Sequence, residues 1–194
     1  MDTVRRILGV LLIVGLPPAV LYWLIVHPFV GFWRRVGPRV TYSVVAILFA
    51  GMCLALFTGH GYLLGRDLGT RWGLIGMGVV WYLASAWVSL LARKQLDLRT
   101  FAGLPEVSPA HPGRLLTEGV YGVIRHPRYV SVVLGVTGLA MAVNFLGVYL
   151  VVLGSMLALI PVTVLEGREL ARRFGKEYQA YRRRVPAWIP RVRR

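Results

Sequence analysis

Two polar stretches in this largely apolar chain carry the residue types that do chemistry. The first reads Gly113-Arg114-Leu115-Leu116-Thr117-Glu118-Gly119-Val120-Tyr121 and continues Gly122-Val123-Ile124-Arg125-His126-Pro127-Arg128-Tyr129. Gly119 and Gly122 permit tight backbone turns on either side of Tyr121. Pro127 suits the first position of a helix, where its missing N–H costs nothing. The unpaired N–H groups of such a first turn, with Arg125 and His126 beside them, make a site for a carboxylate or a phosphate. The same spacing also fits an ordinary juxtamembrane basic anchor.

The second stretch runs Leu165-Glu166-Gly167-Arg168-Glu169-Leu170, then Phe174-Gly175-Lys176-Glu177-Tyr178-Gln179-Ala180-Tyr181, and ends Val185-Pro186-Ala187-Trp188-Ile189-Pro190. Leu170, Phe174, Tyr178 and Tyr181 recur every three or four residues, so one helix face is apolar. Glu169 and Arg173 stand four apart and can pair. A solvated basic helix accounts for most of these charges. Glu166 is different, because it lies where an apolar run leaves the membrane and an unpaired carboxylate there is costly. A cationic ligand, or an arginine such as Arg125, is the expected partner.

The elements that must position these residues are membrane helices. Hydrophobic residues make up 56% of the 194 residues and charged residues 16%, well below the roughly 25% charged residues of soluble domains. Mean hydropathy is +0.61. The formal net charge of +15 sits at the ends of apolar runs and in the tail, as anionic headgroups favour, and this placement argues against nucleic-acid binding. Cys53 is the lone cysteine, inside an apolar run, and has no partner for a disulfide or a metal site. His27, His60, His111 and His126 show no ligand spacing, so no metal is expected.

A spanning helix needs roughly 20 apolar residues. Candidates run from Ile7 to Val26, from about Val40 to Leu64 and from about Trp72 to Ala92. Pro17 and Pro18 should kink the first, which lacks the small-residue cleavage site of a signal peptide. The stretch Tyr129 to Leu165 spans 37 residues, too long for one pass. Asn144 and Gly147 near its middle predict a hairpin of two helices, the first rather short. The expected fold is all-α and polytopic, with about five passes and an amphipathic tail helix. Residues 1–92 hold three N-terminal helices and 93–194 the polar region with the hairpin. With the tail in the cytoplasm, five passes place 19 of the 23 Lys and Arg inside, as the positive-inside rule requires. No internal repeat or low-complexity linker is present.

In their order and spacing, the Gly119-Val120-Tyr121 turn, Arg125-His126-Pro127-Arg128-Tyr129, Glu166, the Phe174 to Tyr181 run and Val185-Pro186 to Ile189-Pro190 resemble a known family. It is the isoprenylcysteine carboxyl methyltransferase and phospholipid methyltransferase superfamily of integral membrane enzymes. The resemblance covers about residues 110–190. It implies an S-adenosylmethionine pocket at the cytoplasmic face, lined by Gly113, Arg114, Leu115, Leu116, Tyr121, His126, Pro127, Arg128, Tyr129 and Glu166, with Arg125, His126 and Glu166 nearest the chemistry. It further implies methyl transfer to a lipophilic acceptor reaching the site from the bilayer. An amine acceptor would have to lose a proton, and Glu166 or His126 is the candidate base. The chain departs from the family pattern at Gly167, where a second glutamate often stands. It departs again at Val162, where prenylcysteine enzymes carry an arginine for the substrate carboxylate.

Two other readings stay open. One is an NADPH-dependent membrane reductase of sterol or enone type, a group whose C-terminal region is similar. It usually has Gly-Glu where this chain has Val130-Ser131. The other is a non-catalytic lipid-binding protein. A prokaryotic inner membrane is the expected location.

Overall fold

The computed structural model of the chain describes residues 1–96, 103–108, 110 and 113–191. His111 and four residues of the charge count, Asp97, Arg99, Arg193 and Arg194, lie outside the described residues. The chain forms α1 (Asp2–Val26), a 3₁₀ turn (His27–Phe29), α2 (Val30–Val36), α3 (Pro38–Leu63), α4 (Trp72–Arg93), α5 (Leu104–Val107), a second 3₁₀ turn (Gly119–Gly122), α6 (Pro127–Val143) and α7 (Leu146–Arg184). Among the described residues there is no strand, and Asp67 and Phe145 form an isolated bridge.

Four helical runs, Asp2–Val36, Pro38–Leu63, Trp72–Arg93 and Leu146–Arg184, are long and apolar enough to cross a membrane, and α6 is a shorter apolar helix. The chain is therefore an all-α polytopic membrane protein, with the hairpin whose first arm is the short one.

The boundaries differ from the sequence reading in three places. Helix α1 begins at Asp2 rather than Ile7 and continues through Pro17 and Pro18 to Val26. The segment 27–39, read as a loop, is mostly helical. Trp33 is buried with Val26 and Val107, and its indole N–H donates to the Ile25 carbonyl at 3.0 Å, which ties α2 to the last turn of α1. Gly37, at φ 85°, ends that run and Pro38 opens α3. The expected tail helix is present; it runs on from the last apolar run without a break at Glu166, and the kink that divides it into two helices stands at Gly175 (φ 52°, ψ −124°).

Helices α4 and α6 form the most extensive helix pair. They touch backbone to backbone: a Cβ added at Gly138 would stand 2.5 Å from the Gly78 carbonyl oxygen. Lipid tails are as apolar as leucine, so close packing of this kind, rather than water exclusion, holds membrane helices together. Ser85 adds a hydrogen bond to the Ser131 carbonyl at 2.6 Å.

The N-terminus, the α3–α4 loop and the α6–α7 turn meet at one end of the bundle. Asn144 takes the left-handed conformation (φ 53°). Its side-chain N–H donates to the Gly69 carbonyl at 2.8 Å, and its Oδ1 accepts from Tyr149 at 3.0 Å. Arg5 is buried. It donates to the Val143 carbonyl at 3.0 Å, to Thr70 at 3.1 Å and to Asp67. The Arg5 hydrogen bond holds the Asp67 carboxyl below the usual range.

Candidate functional site

At the opposite end, where α1 finishes and α6 begins, the chain encloses a cavity. Gly113, Arg114, Leu115, Leu116, Tyr121, Arg125, His126, Pro127, Arg128, Tyr129 and Glu166 all line it, so the residues singled out in the sequence converge on one space. Pro127 occupies the first turn of α6, which no side chain caps. Gly119 adopts φ +54° at the Tyr121 turn, a conformation glycine takes without strain. Burial pushes the Tyr121 hydroxyl up to about 12.

The tail motif explains how the Arg125–Tyr129 turn is held. The Arg125 N–H donates to the Pro186 carbonyl at 2.8 Å and the His126 N–H to the Ala187 carbonyl at 3.1 Å. The Arg125 side chain donates to the Val185 carbonyl at 3.0 Å and to the Tyr178 hydroxyl at 3.1 Å. Tyr181 donates to the Tyr121 carbonyl at 2.7 Å. Tyr178, Tyr181 and Val185 are buried together, with Leu115 and Phe174 packed on them. The apolar tail face thus packs on protein.

One expectation is corrected. Glu166 does not pair with Arg125, whose side chain is turned to the tail. Its neighbour is His126, with Nδ1 3.5 Å from Oε2. The His126 ring is buried and tilted against Tyr129 and Trp188 at 5.7 and 6.2 Å between centroids. Val162 is fully buried and packs with Val20, Tyr129 and Leu159, so that position offers only methyl groups.

The sequence reading missed a second polar group on the same cavity. Trp23, His27, Glu106 and Arg173 also line it. His27 Nδ1 lies 3.6 Å from Glu169 Oε2, Arg173 reaches Glu169 Oε1 at 2.6 Å and Glu106 at 4.0 Å. The Glu169–Arg173 pair expected from spacing does form, but in the interior rather than on a solvated face. Arg128 lies over the Trp23 ring, 5.2 Å from its centroid, and His27 stacks on the same ring at 5.1 Å. Burial, and then the nearby Glu169 charge, raise the Glu106 carboxyl above its ordinary range. Buried Oε2 atoms of Glu106, Glu166 and Glu169, and both ring nitrogens of His27, have no hydrogen-bond partner. Each such group costs about 1–3 kcal/mol if left dry, so they mark a place for water or a ligand. The one legible signal was a His-Pro pair at the exit of the first apolar run. Among the described residues no group of His, Cys, Asp or Glu is arranged to hold a metal ion.

Residues 73–177 match the family model of the phospholipid methyltransferases, just over half of the chain, and the chain belongs to that family. The cobalt-zinc-cadmium resistance protein CzcN of Cupriavidus metallidurans is 38% identical over 79 residues, covering 40% of this chain and 36% of that protein. The match therefore spans about a third of that relative's length. No solved structure matches the chain.

Proposed function

We propose that the chain transfers a methyl group from S-adenosylmethionine to a lipophilic acceptor drawn from the bilayer. The observation that carries this reading is the meeting of the 113–116 segment, the Arg125–Tyr129 turn and Glu166 at one cavity. The chemistry of that set fits the donor, which presents a carboxylate, an ammonium, a sulfonium and an adenine ring. The first turn of α6, with Arg128 beside it, offers donors to the carboxylate. Glu166, whose buried Oε2 faces His126 at 3.5 Å without a hydrogen bond, answers the positive groups, and Tyr121, Tyr129 and Leu115 offer faces to the ring. When bound, the cofactor supplies an activated methyl group. Arg125 would act at a distance, by fixing the turn to the tail.

Catalysis in this reading comes mainly from alignment, with the helices admitting the acceptor from the side. Residues 93–194 would form the methyltransferase-like region, to which α1 adds Trp23 and His27. The location we favour is a prokaryotic inner membrane with the C-terminus cytoplasmic, on the strength of the charge bias. Membrane lipids are then its partners and nucleic acid is not.

Calorimetric titration of the detergent-solubilised protein with S-adenosylmethionine tests this. Saturable binding is expected, weakened at least tenfold in His126→Ala and Glu166→Ala (about 1.4 kcal/mol). Unchanged affinity in both variants would sink the pocket assignment. Preferential binding of NADPH would favour the reductase reading, and no binding by folded protein the lipid-binding one.

A further inference from the structure

We propose that His27 is the base of this site: its Nε2 takes the proton of a protic acceptor group, an amine, hydroxyl or thiol, while Glu169 holds the ring. The proposal rests on the methyl-transfer reading above and names the acceptor class.

Two His–Glu pairs border the same cavity. His126 faces Glu166 at 3.5 Å and His27 faces Glu169 at 3.6 Å. Glu166 and Glu169 are three apart on α7, hence on one helix face. The surroundings of the two pairs differ. His126 sits within the turn assigned to the donor, its ring against Tyr129 and Trp188. His27 comes from α1, and its side chain is 1% exposed. Neither of its ring nitrogens has a hydrogen-bond partner, a rare condition for a buried polar group, yet the residue lines the cavity.

The ring is nevertheless held. It lies 18° from parallel on Trp23. Glu169 is anchored through Oε1 by Arg173 at 2.6 Å, which leaves Oε2 toward His27 Nδ1. A carboxylate on Nδ1 favours the tautomer with its proton there and frees Nε2 to accept. The other charged or titratable groups around His27 are Glu106 from α5, Glu166 and Arg173 from α7, Tyr22 from α1 and, across Trp23, Arg128 from α6. With Glu169, three carboxylates stand against two guanidiniums, which suits a positive charge forming on the imidazole during transfer.

The step balances without a further reagent. The lone pair of the acceptor atom forms a bond to the methyl carbon while the carbon–sulfur bond breaks, and the sulfonium becomes a neutral thioether. The acceptor's proton passes to His27 Nε2, and Glu169 is the counter-charge of the imidazolium until that proton leaves to water. A carboxylate acceptor has no proton to give and gains nothing from this arrangement.

The test uses the full chain in detergent with methyl-labelled S-adenosylmethionine and four probes: dodecylamine, dodecanol, dodecanethiol and dodecanoate. Label is expected on at least one of the first three and not on dodecanoate. His27→Gln should transfer about 100-fold more slowly, the low end for losing a general base, with cofactor affinity within twofold of native. Label on dodecanoate that His27→Gln leaves unchanged overturns the proposal, as does native protein that binds cofactor but labels no protic probe. Native protein that binds no cofactor overturns the methyl-transfer reading itself, a separate result. A second measurement needs no acceptor, and its deciding result is read on the native chain. In ¹⁵N-histidine spectra of the native chain at alkaline pH, His27 should be the Nδ1–H tautomer, shifting toward Nε2–H in Glu169→Gln. An Nε2–H tautomer in the native protein overturns the proposal.

Discussion

At one end of the bundle the Arg5 guanidinium directs its donors to the Val143 carbonyl, Thr70 and Asp67, and Asn144 uses its amide in both directions. At the other end His27, Glu106, Glu166 and Glu169 bury polar atoms that make no hydrogen bond within the chain, and the two His–Glu pairs stand at 3.5 and 3.6 Å. The two ends are joined by the same helices, α1 and α6. The difference teaches which buried charges serve the fold and which await something else. A satisfied network ties three chain segments together, whereas an unsatisfied one sits beside a cavity and lowers stability until a ligand or water completes it.

That contrast can be broken most forcefully at the satisfied end. Arg5→Ala leaves the Val143 carbonyl and Asp67 without their partner. It should cost about 2 kcal/mol, the middle range for leaving a buried carbonyl unsatisfied, in reversible unfolding from detergent, while cofactor affinity stays within twofold. If Arg5→Ala instead abolishes binding at unchanged stability, the two ends are not divided in this way. A smaller effect of opposite sign is expected at the cavity end. Glu106→Gln removes a carboxylate whose charged form is disfavoured beside Glu169, so stability should rise by about 1 kcal/mol as methyl transfer falls.

The smallest effect is in pH. Asp67 has a depressed pKa, so its contribution is present above the unfolded Asp value and is lost as pH falls through the folded one. Glu106 has a raised pKa, so its penalty is present at high pH and is relieved as pH falls through the raised value. Acid should therefore loosen the Leu68 and Leu146 amides, which bond across the turn end, and tighten that of Ser108 beside Glu106. Amide-exchange protection factors would show shifts worth under about 1 kcal/mol, since Asp67 is partly solvated. Shifts of the same sign at both ends would count against the contrast.

The sequence made the helices and one wall of the cavity legible for a simple reason: those residues lie in contiguous motifs. The 113–129 stretch brings its own turn and helix start, and Asn144 marks the hairpin. His27 escaped because it follows an apolar run some hundred residues from the rest of the site, in what read as a loop. Glu169 and Arg173 escaped differently. Their spacing was read correctly, but helical spacing says nothing of which face is covered. Only the packing of α1 and α5 on α7 turns a surface pair into an interior one. Charge alone offers Glu166 either a cationic ligand or an arginine such as Arg125, and the tail carbonyls, which no charge pattern reveals, take Arg125 instead.

Helix α6 has 17 residues, a length of about 25 Å at 1.5 Å per residue, against a hydrocarbon core of roughly 30 Å. Its neighbour α4, locked to it through Gly78 and Gly138, has 22 residues. Such a mismatch is met by local thinning of the bilayer around the shorter helix. On the proposed methyl-transfer reading, thinning there would set the cavity at the start of α6 in a dimple of the membrane surface. A soluble cofactor and a lipid would then meet without either crossing into the other's phase.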